Sequence, residues 1–208
     1  MRRIVRLLSV AVAVLSLVSC GGAQGTEPKT QHLDIGEDTF NFIVANDLGR
    51  NGYYDQKMIA EEMGTLAENV DIEFVAAAGD VHHFEGVASV DDPLWMTNYE
   101  LIYSHPELML DWYPILGNHE YRGNTQAVLD YGTVSRRWVM SDRYYAKSFE
   151  VDDTTSMTVV FVDTTPLIDK YHKESEDKYR DVAAQSSDEQ LAWIDSTLMA
   201  SDDTWKIV

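Results

Sequence analysis

The sequence predicts an α/β fold built around a parallel β-sheet, and two observations support this prediction. First, three apolar runs of strand length, at 40–45, 74–78 and 113–116, each end abruptly in a cluster of polar side chains. Second, a segment with helical spacing separates the first two runs, as in a β-α-β unit, whose strands lie parallel. Because ligands bind at the carboxyl ends of strands in such sheets, we expect the three polar clusters to meet at one edge.

The first half of the chain alternates strands with helices. Phe40–Ala45 is the first predicted strand, Phe74–Ala78 the second and Tyr113–Leu116 the third. A helix is predicted from Tyr54 to Glu68, and its apolar residues should face the sheet. The apolar residues at helical spacing are Ile59, Met63, Leu66 and Val70. A second helical stretch, Pro93 to Tyr103, precedes the third strand.

The next segments predict a short helix and a hairpin. The helix runs from Asn124 to Tyr131. Two strands follow, Tyr144–Val151 and Ser156–Val162, and the turn at Asp152-Asp153 between them indicates a hairpin. We therefore expect an antiparallel pair in addition to the parallel sheet.

Beyond the hairpin the periodicity weakens. Residues 164–187 are polar and charged with no apolar stripe, which indicates a solvated surface loop, with a lid over the site as the alternative. Ser187 and Gln190 form a capping box for a following helix. The apolar residues of that helix are Leu191, Ile194 and Leu198. A last strand begins at Trp205.

The composition is that of a globular protein, and the charge restricts its partners. Of the 208 residues, 45% are hydrophobic and 11% aromatic, and the length suits one domain with a sizeable core. The formal net charge is −19. A surface this acidic disfavours nucleic acid as a partner, and it repels phosphate unless bound metal ions reverse the charge locally.

The amino-terminal residues predict export. Residues 1–19 combine three arginines with an apolar centre too short to span a membrane, which is typical of a signal peptide. Leu17-Val18-Ser19-Cys20 resembles the lipobox of bacterial lipoproteins, so we expect a lipid on Cys20 and attachment to the bacterial cell envelope. An ordinary signal peptide with an incidental cysteine is the alternative. Residues 20–38 are small and polar and predict a flexible tether.

The three polar clusters contain residue types that bind metal ions. Asp47 and Gly49 follow the first strand, Gly79 and Asp80 the second, and Gly117-Asn118-His119-Glu120 the third. Carboxylate, amide and imidazole groups are hard or borderline ligands that suit divalent or trivalent metals. A lone aspartate more often caps a helix or a turn, but three such clusters at three strand ends favour a metal site.

In order and spacing these motifs resemble those of the calcineurin-like metallophosphoesterases, and most of all the purple (tartrate-resistant) acid phosphatases. The resemblance implies a four-layer α-β-β-α sandwich, and we assign residues 39–208 to it as one domain. The family completes its metal site with two later motifs, Gly-His-x-Pro and Gly-His-x-His, and neither occurs here. The resemblance therefore covers the amino-terminal part of a family domain, and we expect the sandwich to be truncated before its last strands.

The resemblance implies two metal ions, drawn from iron, zinc or manganese. Asp47 would bind the first ion alone, Asp80 would bridge both ions through its two oxygens, and Asn118 would bind the second ion through its carbonyl oxygen. The implied reaction is in-line attack of a metal-bound hydroxide on a phosphoester, since metal ions lower the pKa of water from about 15.7 to about 7.

Two residues beside Asn118 are the catalytic candidates. His119 should point into the cleft, where the resemblance makes it a phosphate contact or a proton donor to the leaving alkoxide. A packed or surface histidine is the alternative for this residue. Glu120 either orients that imidazole or faces solvent.

The residue three positions after Asp80 departs from the family pattern. Purple acid phosphatases have a metal-binding tyrosinate there, which gives their colour, whereas this chain has His83. Imidazole is neutral and softer than phenolate, so the first ion need not be ferric iron. His82 should not be a ligand, because neighbouring side chains of an extended segment point oppositely; in an irregular loop the two histidines would exchange roles.

We therefore expect a metal-dependent phosphoester hydrolase that resembles an acid phosphatase and acts on phosphomonoesters of small molecules or proteins. Because the two later motifs are absent, we expect this chain by itself to be weakly active or inactive. The alternative is a non-catalytic surface lipoprotein that retains part of the fold for binding. The sequence has no Ser–His–Asp elbow and no glycine-rich phosphate loop, which argues against acyl transfer and nucleotide-triphosphate hydrolysis.

Overall fold

Two β-sheets form the centre of the computed structural model, which describes residues 39–174 and 178–208. The predicted signal peptide and tether, 1–19 and 20–38, lie outside these residues. The strands of the first sheet are β1 (Asn41–Ala45), β2 (Ile72–Ala77) and β3 (Asp111–Pro114). They pair in the order β1-β2-β3 and run parallel, as the sequence predicts.

The second sheet is mixed. Its strands are β4 (Tyr145–Asp152), β5 (Thr155–Phe161) and β6 (Trp205–Ile207). The first two form the predicted antiparallel hairpin, and β6 pairs with β5 in parallel. The carboxylate of Asp203, just before β6, accepts hydrogen bonds from hydroxyl groups of both hairpin strands, those of Ser148 (2.7 Å) and Ser156 (2.6 Å). Asp203 thereby fixes the start of β6 against the hairpin.

Aromatic rings pack the two sheets face to face. Phe74 of β2 stacks on Phe149 of β4, with 4.5 Å between ring centroids. Tyr113 of β3 stacks on Phe161 of β5 at 5.5 Å. Ring pairs of this kind contribute about 0.5–1.5 kcal/mol beyond the area that they bury. The core of the molecule therefore lies between the sheets.

Four α-helices accompany the sheets in the described part of the chain. They are α1 (Gln56–Asn69), α2 (Thr125–Asp130), α3 (Asp169–Lys173) and α4 (Ser187–Ala200). Helix α1 connects β1 to β2. Of the residues predicted to face the sheet, Met63 is buried, Ile59 and Leu66 are half-buried, and Val70 is buried but follows the helix as its C-cap. The helix begins two residues later than predicted, because Tyr54 and Asp55 have left-handed φ values of 54° and 64°.

These elements form the predicted α/β fold, in which two sheets enclose a common core. Residues 40–208 make one compact unit. In the predicted helix at 93–103, residues Met96–Glu100 form a π-helical turn. No helix in the described part of the chain is long and apolar enough to span a membrane.

The predicted capping box of α4 is displaced by one residue. Ser186, rather than Ser187, is the N-cap, because its backbone is extended and its hydroxyl accepts a hydrogen bond from the N–H of Glu189 (3.2 Å). Ser187 already lies in the helix, where its hydroxyl donates to the carbonyl oxygen of Pro166 (2.7 Å).

Helix α4 buries a polar residue more completely than its apolar ones. The side-chain amide of Gln190 accepts from the N–H of Asp163 and donates to its carbonyl oxygen, both at 2.9 Å. Leu191 is exposed, while Ile194 and Leu198 are half-buried. Gln190, the glutamine of the predicted capping box, thus holds the chain just after β5.

The prediction that residues 164–187 form a solvated loop is wrong. The segment contains a 3-10 turn at Thr165–Leu167, helix α3 and a second 3-10 turn at Arg180–Ala184. Tyr179 and Val182 are buried. Two isolated apolar residues have no strand or helix period, so the sequence pattern does not reveal their burial.

Candidate metal centre

The carboxyl ends of the three parallel strands meet at one edge of the first sheet. The loop after β1 contains Asp47, the loop after β2 contains Asp80, and the loop after β3 contains the half-buried Asn118 and His119. The N–H of Asp47 donates to the carbonyl oxygen of Gly79 (3.1 Å), and the N–H of His119 donates to Oδ1 of Asp80 (2.9 Å). The structure therefore brings the three predicted clusters together.

The close approach of these loops explains the glycines of the motifs. A Cβ on Gly117 would overlap the carboxylate of Asp80, and a Cβ on Gly49 would overlap the carbonyl oxygen of Val81. Asp47 and Asp80 both have a left-handed φ of 54°, a conformation that costs an L-residue roughly 1–2 kcal/mol. Backbone strain of this kind is concentrated at functional sites.

His83 lies between the two aspartates. Its Nε2 is 3.4 Å from Oδ1 of Asp47 and 3.8 Å from Oδ2 of Asp80. Burial, with smaller contributions from the nearby His119 and Arg50, lowers the pKa of His83 to about 4. The imidazole is therefore neutral at physiological pH, the state in which histidine binds metal ions.

His119 approaches the same point from the third loop. Its Nδ1 is 2.6 Å from the carbonyl oxygen of Phe84, so Nδ1 must carry the proton and donate it. Its ring centroid is 4.0 Å from that of His83. The hydrogen bond to Phe84 leaves Nε2 of His119 available either as a metal ligand or as the site of a second proton.

These donors fit a metal ion. Asp80, His83 and His119 each offer a ligand atom, and the three atoms lie within 4.8 Å of one another. The set combines carboxylate oxygen with imidazole nitrogen, which suits zinc, iron or manganese. The carbonyl hydrogen bond at Nδ1 of His119 is the usual outer partner of a metal-bound histidine. His119, predicted as a catalytic group, thus also lies within a ligand cluster.

Glu120 does not face solvent, so that alternative is wrong. Its side chain is 1% exposed, and its carboxylate accepts hydrogen bonds from the backbone N–H groups of Asp80 (3.0 Å), His82 (3.0 Å) and Gly117 (2.8 Å). Burial, with the charge of Asp80, raises its pKa to about 7. Glu120 joins the second and third loops through their backbone, and no hydrogen bond links its carboxylate to the His119 ring among the described residues.

His82 points away from the cluster, as expected for the neighbour of His83. It is fully buried, its ring meets that of Trp95 edge to face at 4.4 Å, and the amide nitrogen of Asn98 lies 3.3 Å from its Nδ1. Burial lowers its pKa to about 3. His82 is therefore a neutral core residue.

The residues that hold the first loop are not evident from the sequence pattern. The buried side chain of Gln56 accepts from the N–H groups of Arg50 (3.0 Å) and Gly52 (2.7 Å) and donates to the carbonyl oxygens of Leu48 and Asn98. The only sequence feature that points to this role is the position of Gln56 on the buried face of the predicted helix. A buried glutamine needs hydrogen-bond partners, so its presence there is unusual.

Known phosphatases resemble this chain over most of its length. A family model described as calcineurin-like phosphoesterase matches residues 40–208. Purple acid phosphatase 7 of Arabidopsis thaliana is 32% identical over 207 residues, which cover 96% of this chain and 62% of that protein. Tartrate-resistant acid phosphatase type 5 of Sus scrofa is 27% identical over 72% of this chain and 45% of that protein. The chain thus spans less than two thirds of the length of these relatives.

A solved structure shares the fold. The protein titled GAP50, the anchor in the inner membrane complex of Plasmodium, superposes with a TM-score of 0.56 over 69% of this chain and 49% of its own, at 24% identity. The family match covers the same residues that form the two sheets and the metal-ligand cluster. The chain belongs to the calcineurin-like phosphoesterase family, and its relatives are purple and tartrate-resistant acid phosphatases.

Proposed function

We propose that the protein hydrolyses phosphomonoesters, of small molecules or of proteins, with the help of bound metal ions. The observation that supports this most directly is the convergence of Asp47, Asp80, His83 and His119 at one edge of the parallel sheet. Acyl or nucleotide-motor chemistry would require a different set of groups at this edge.

Two metal ions are part of the proposal. Asp47 and His83 would hold the first, Asn118 would hold the second, and Asp80 would contact both. When bound, such ions neutralise phosphoryl oxygens and lower the pKa of water towards about 7. Because His83 is a neutral ligand, we expect zinc, manganese or ferrous iron rather than ferric iron at the first site.

His119 has two functions open to it in this proposal. Because Nδ1 already donates to the carbonyl oxygen of Phe84, an added proton must reside on Nε2. In that imidazolium form, Nε2–H is the group that would contact a phosphoryl oxygen or protonate the leaving alkoxide. In the neutral form the same atom is a lone-pair donor to a metal ion.

Hydrolysis of p-nitrophenyl phosphate by the purified chain tests the proposed activity. The chain would be assayed with added zinc, manganese or iron and with Asp80→Asn as the variant. We expect turnover, even if slow, that requires metal and is lost in Asp80→Asn, because Asp80 has no substitute as a charged ligand. Hydrolysis that needs no metal, or that Asp80→Asn retains in full, would contradict the proposed site, and metal binding without any hydrolysis would favour the non-catalytic binding role.

We also propose that the protein is exported and lipid-anchored at Cys20. The lipobox-like Leu17-Val18-Ser19-Cys20 after a basic, apolar leader supports this proposal. The multiple acyl chains of a lipoprotein anchor stably, whereas a single chain binds membranes weakly. Mass spectrometry of the membrane fraction should find an acylated Cys20 at the amino terminus, and a free thiol on an uncleaved or differently cleaved chain would contradict the proposal.

A further inference from the structure

Arg50 presents a cation beside the metal cluster, and one nitrogen of this cation makes no hydrogen bond within the described residues. Its Nη1 is buried, and within the described part of the chain it has no hydrogen-bond partner. Arg122 and Arg137 each leave only Nε without a partner in this way, because their terminal nitrogens donate, to the carbonyl oxygen of Phe84 (3.0 Å) and to Glu100 (2.9 Å) respectively. A buried donor without an acceptor costs about 1–3 kcal/mol, so the unsatisfied Nη1 of Arg50 needs an explanation.

The guanidinium group lies at the rim of the site. Its central carbon is 5.6 Å from the ring centroid of Phe84, which is 65% exposed. The ring centroid of Phe84 lies 6.3 Å from that of His83, and the carbonyl oxygen of Phe84 accepts the hydrogen bond from His119.

The backbone at Arg50 is fixed by two contacts. Its N–H donates to the side-chain oxygen of the buried Gln56 (3.0 Å). The preceding Gly49 packs so closely on Val81 that no Cβ fits between them. A flexible surface segment would have neither restraint, so the backbone from which the Arg50 side chain extends is fixed before any ligand arrives.

We propose that Arg50 is a substrate-binding residue whose guanidinium group donates to a phosphoryl oxygen of the substrate, an inference that rests on the proposed phosphatase function. The planar fork of arginine matches phosphate oxygens and forms charge-assisted hydrogen bonds to them. In a chain with a formal net charge of −19, a cation at this rim also reduces the repulsion of an incoming phosphate dianion. The face of Phe84 holds the guanidinium group in position through a cation–π contact.

Calorimetric titration of the metal-loaded chain with inorganic phosphate tests the assignment, alongside a separate titration of the metal-free chain with zinc. The variants are Arg50→Gln and Arg50→Lys. The matched control is Arg136→Gln, which removes the same charge from an exposed arginine in a groove with Met96 and Val134. We expect phosphate affinity to fall by roughly ten- to a hundredfold in Arg50→Gln, by less in Arg50→Lys and not at all in Arg136→Gln.

The zinc titration separates substrate binding from a structural role. Removal of a positive charge near His83 should leave zinc affinity unchanged or raise it. If the substitution instead disrupted the loop, the zinc affinity, the phosphate affinity and the melting temperature would all fall. Equal phosphate affinity in Arg50→Gln and the unmodified chain would overturn the assignment and leave the proposed function intact. A parallel loss of zinc and phosphate in both Arg50 variants would show a structural role and overturn it too. Failure of the unmodified, metal-loaded chain to bind phosphate would overturn both proposals.

Discussion

At the scale of single residues, the two adjacent histidines have opposite environments. His83 lies between two carboxylates, and His82 lies in the core against Trp95. We predict that His83→Ala lowers zinc affinity by more than about tenfold, because it removes a nitrogen ligand. His82→Ala should leave zinc affinity unchanged and lower the free energy of unfolding by on the order of 2 kcal/mol, because it leaves a cavity.

Zinc titration and urea unfolding of the two variants check this prediction. A loss of zinc affinity in His82→Ala, with normal affinity in His83→Ala, would show that the two residues have exchanged roles.

The colour of the iron-loaded protein provides a second prediction at this scale. Family colour comes from a phenolate ligand, and His83 occupies that position. The hydroxyl of Tyr121 donates to Asp163, and burial raises its pKa, so Tyr121 is not available as a phenolate. We predict no visible charge-transfer band in the iron-loaded chain and a new band in His83→Tyr. A strong band in the unmodified chain that disappears in Tyr121→Phe would contradict this.

The sequence predicts metal-binding residues more readily than supporting ones. Asp47, Asp80 and His119 stand directly at the ends of apolar runs, so a one-dimensional pattern reveals them. The functions of Glu120 and Arg50 depend on contacts with segments 6 to 40 residues away in the chain, and no local pattern encodes such contacts.

At the scale of elements, Glu120 joins the loop after β2 to the loop after β3. One oxygen accepts from the N–H groups of Asp80 and Gly117, and the other accepts from His82. In Glu120→Gln an NH₂ group must replace one of these acceptors and would face backbone N–H. We therefore predict a loss of about 1–3 kcal/mol in the free energy of unfolding, together with weaker zinc binding.

Urea unfolding and zinc titration of Glu120→Gln measure both effects. A variant with unchanged stability and unchanged zinc affinity would show that this carboxylate does not determine how the loops are held.

Asp163, at the end of β5, provides a prediction about pH. Burial raises its pKa from 3.8 to about 7, although the Tyr121 hydroxyl and Arg143 oppose this rise. Between these values the folded chain binds more protons at this carboxyl than the unfolded chain does, so its contribution to stability is full below about pH 4 and is lost as the pH rises to 7. The side chain of Asp163→Asn does not titrate, so the variant does not lose this contribution as the pH rises.

Urea unfolding at pH 4.5 and pH 8 measures the difference between Asp163→Asn and the unmodified chain. The comparison cancels the titration of His82 and His83, which both proteins share. The free energy of unfolding of the variant, relative to the unmodified chain, should rise from pH 4.5 to pH 8. A constant or falling difference would contradict the environment described for Asp163.

Elements with regular periods are predictable, and those fixed by single side chains are not. The strands and α1 follow from apolar runs and helical spacing. The N-cap of α4 is Ser186 because its backbone is extended. The sequence alone does not show which of the two neighbouring serines has this conformation. The turns within 164–187 depend on two isolated buried residues, Tyr179 and Val182.

At the scale of the whole molecule, an acidic chain concentrates metal ligands at one edge of its parallel sheet. The alternation of strands and helices predicts the fold class. The four-layer arrangement was predicted only from the resemblance, because the packing of two sheets leaves no local sequence pattern. The formal net charge of −19 disfavours phosphate binding without cations. The central claim is therefore that metal ions occupy the edge formed by the three loops.

Equilibrium dialysis against zinc, followed by measurement of metal content, tests that claim most directly. The unmodified chain is compared with Asp80→Ala and with Asp202→Ala, which removes an exposed carboxylate before β6. We predict equal zinc content in the unmodified protein and in Asp202→Ala, and the loss of that zinc in Asp80→Ala, because Asp80 would contact both ions of the site. Equal zinc content in all three proteins, or no zinc in any of them, would contradict the account.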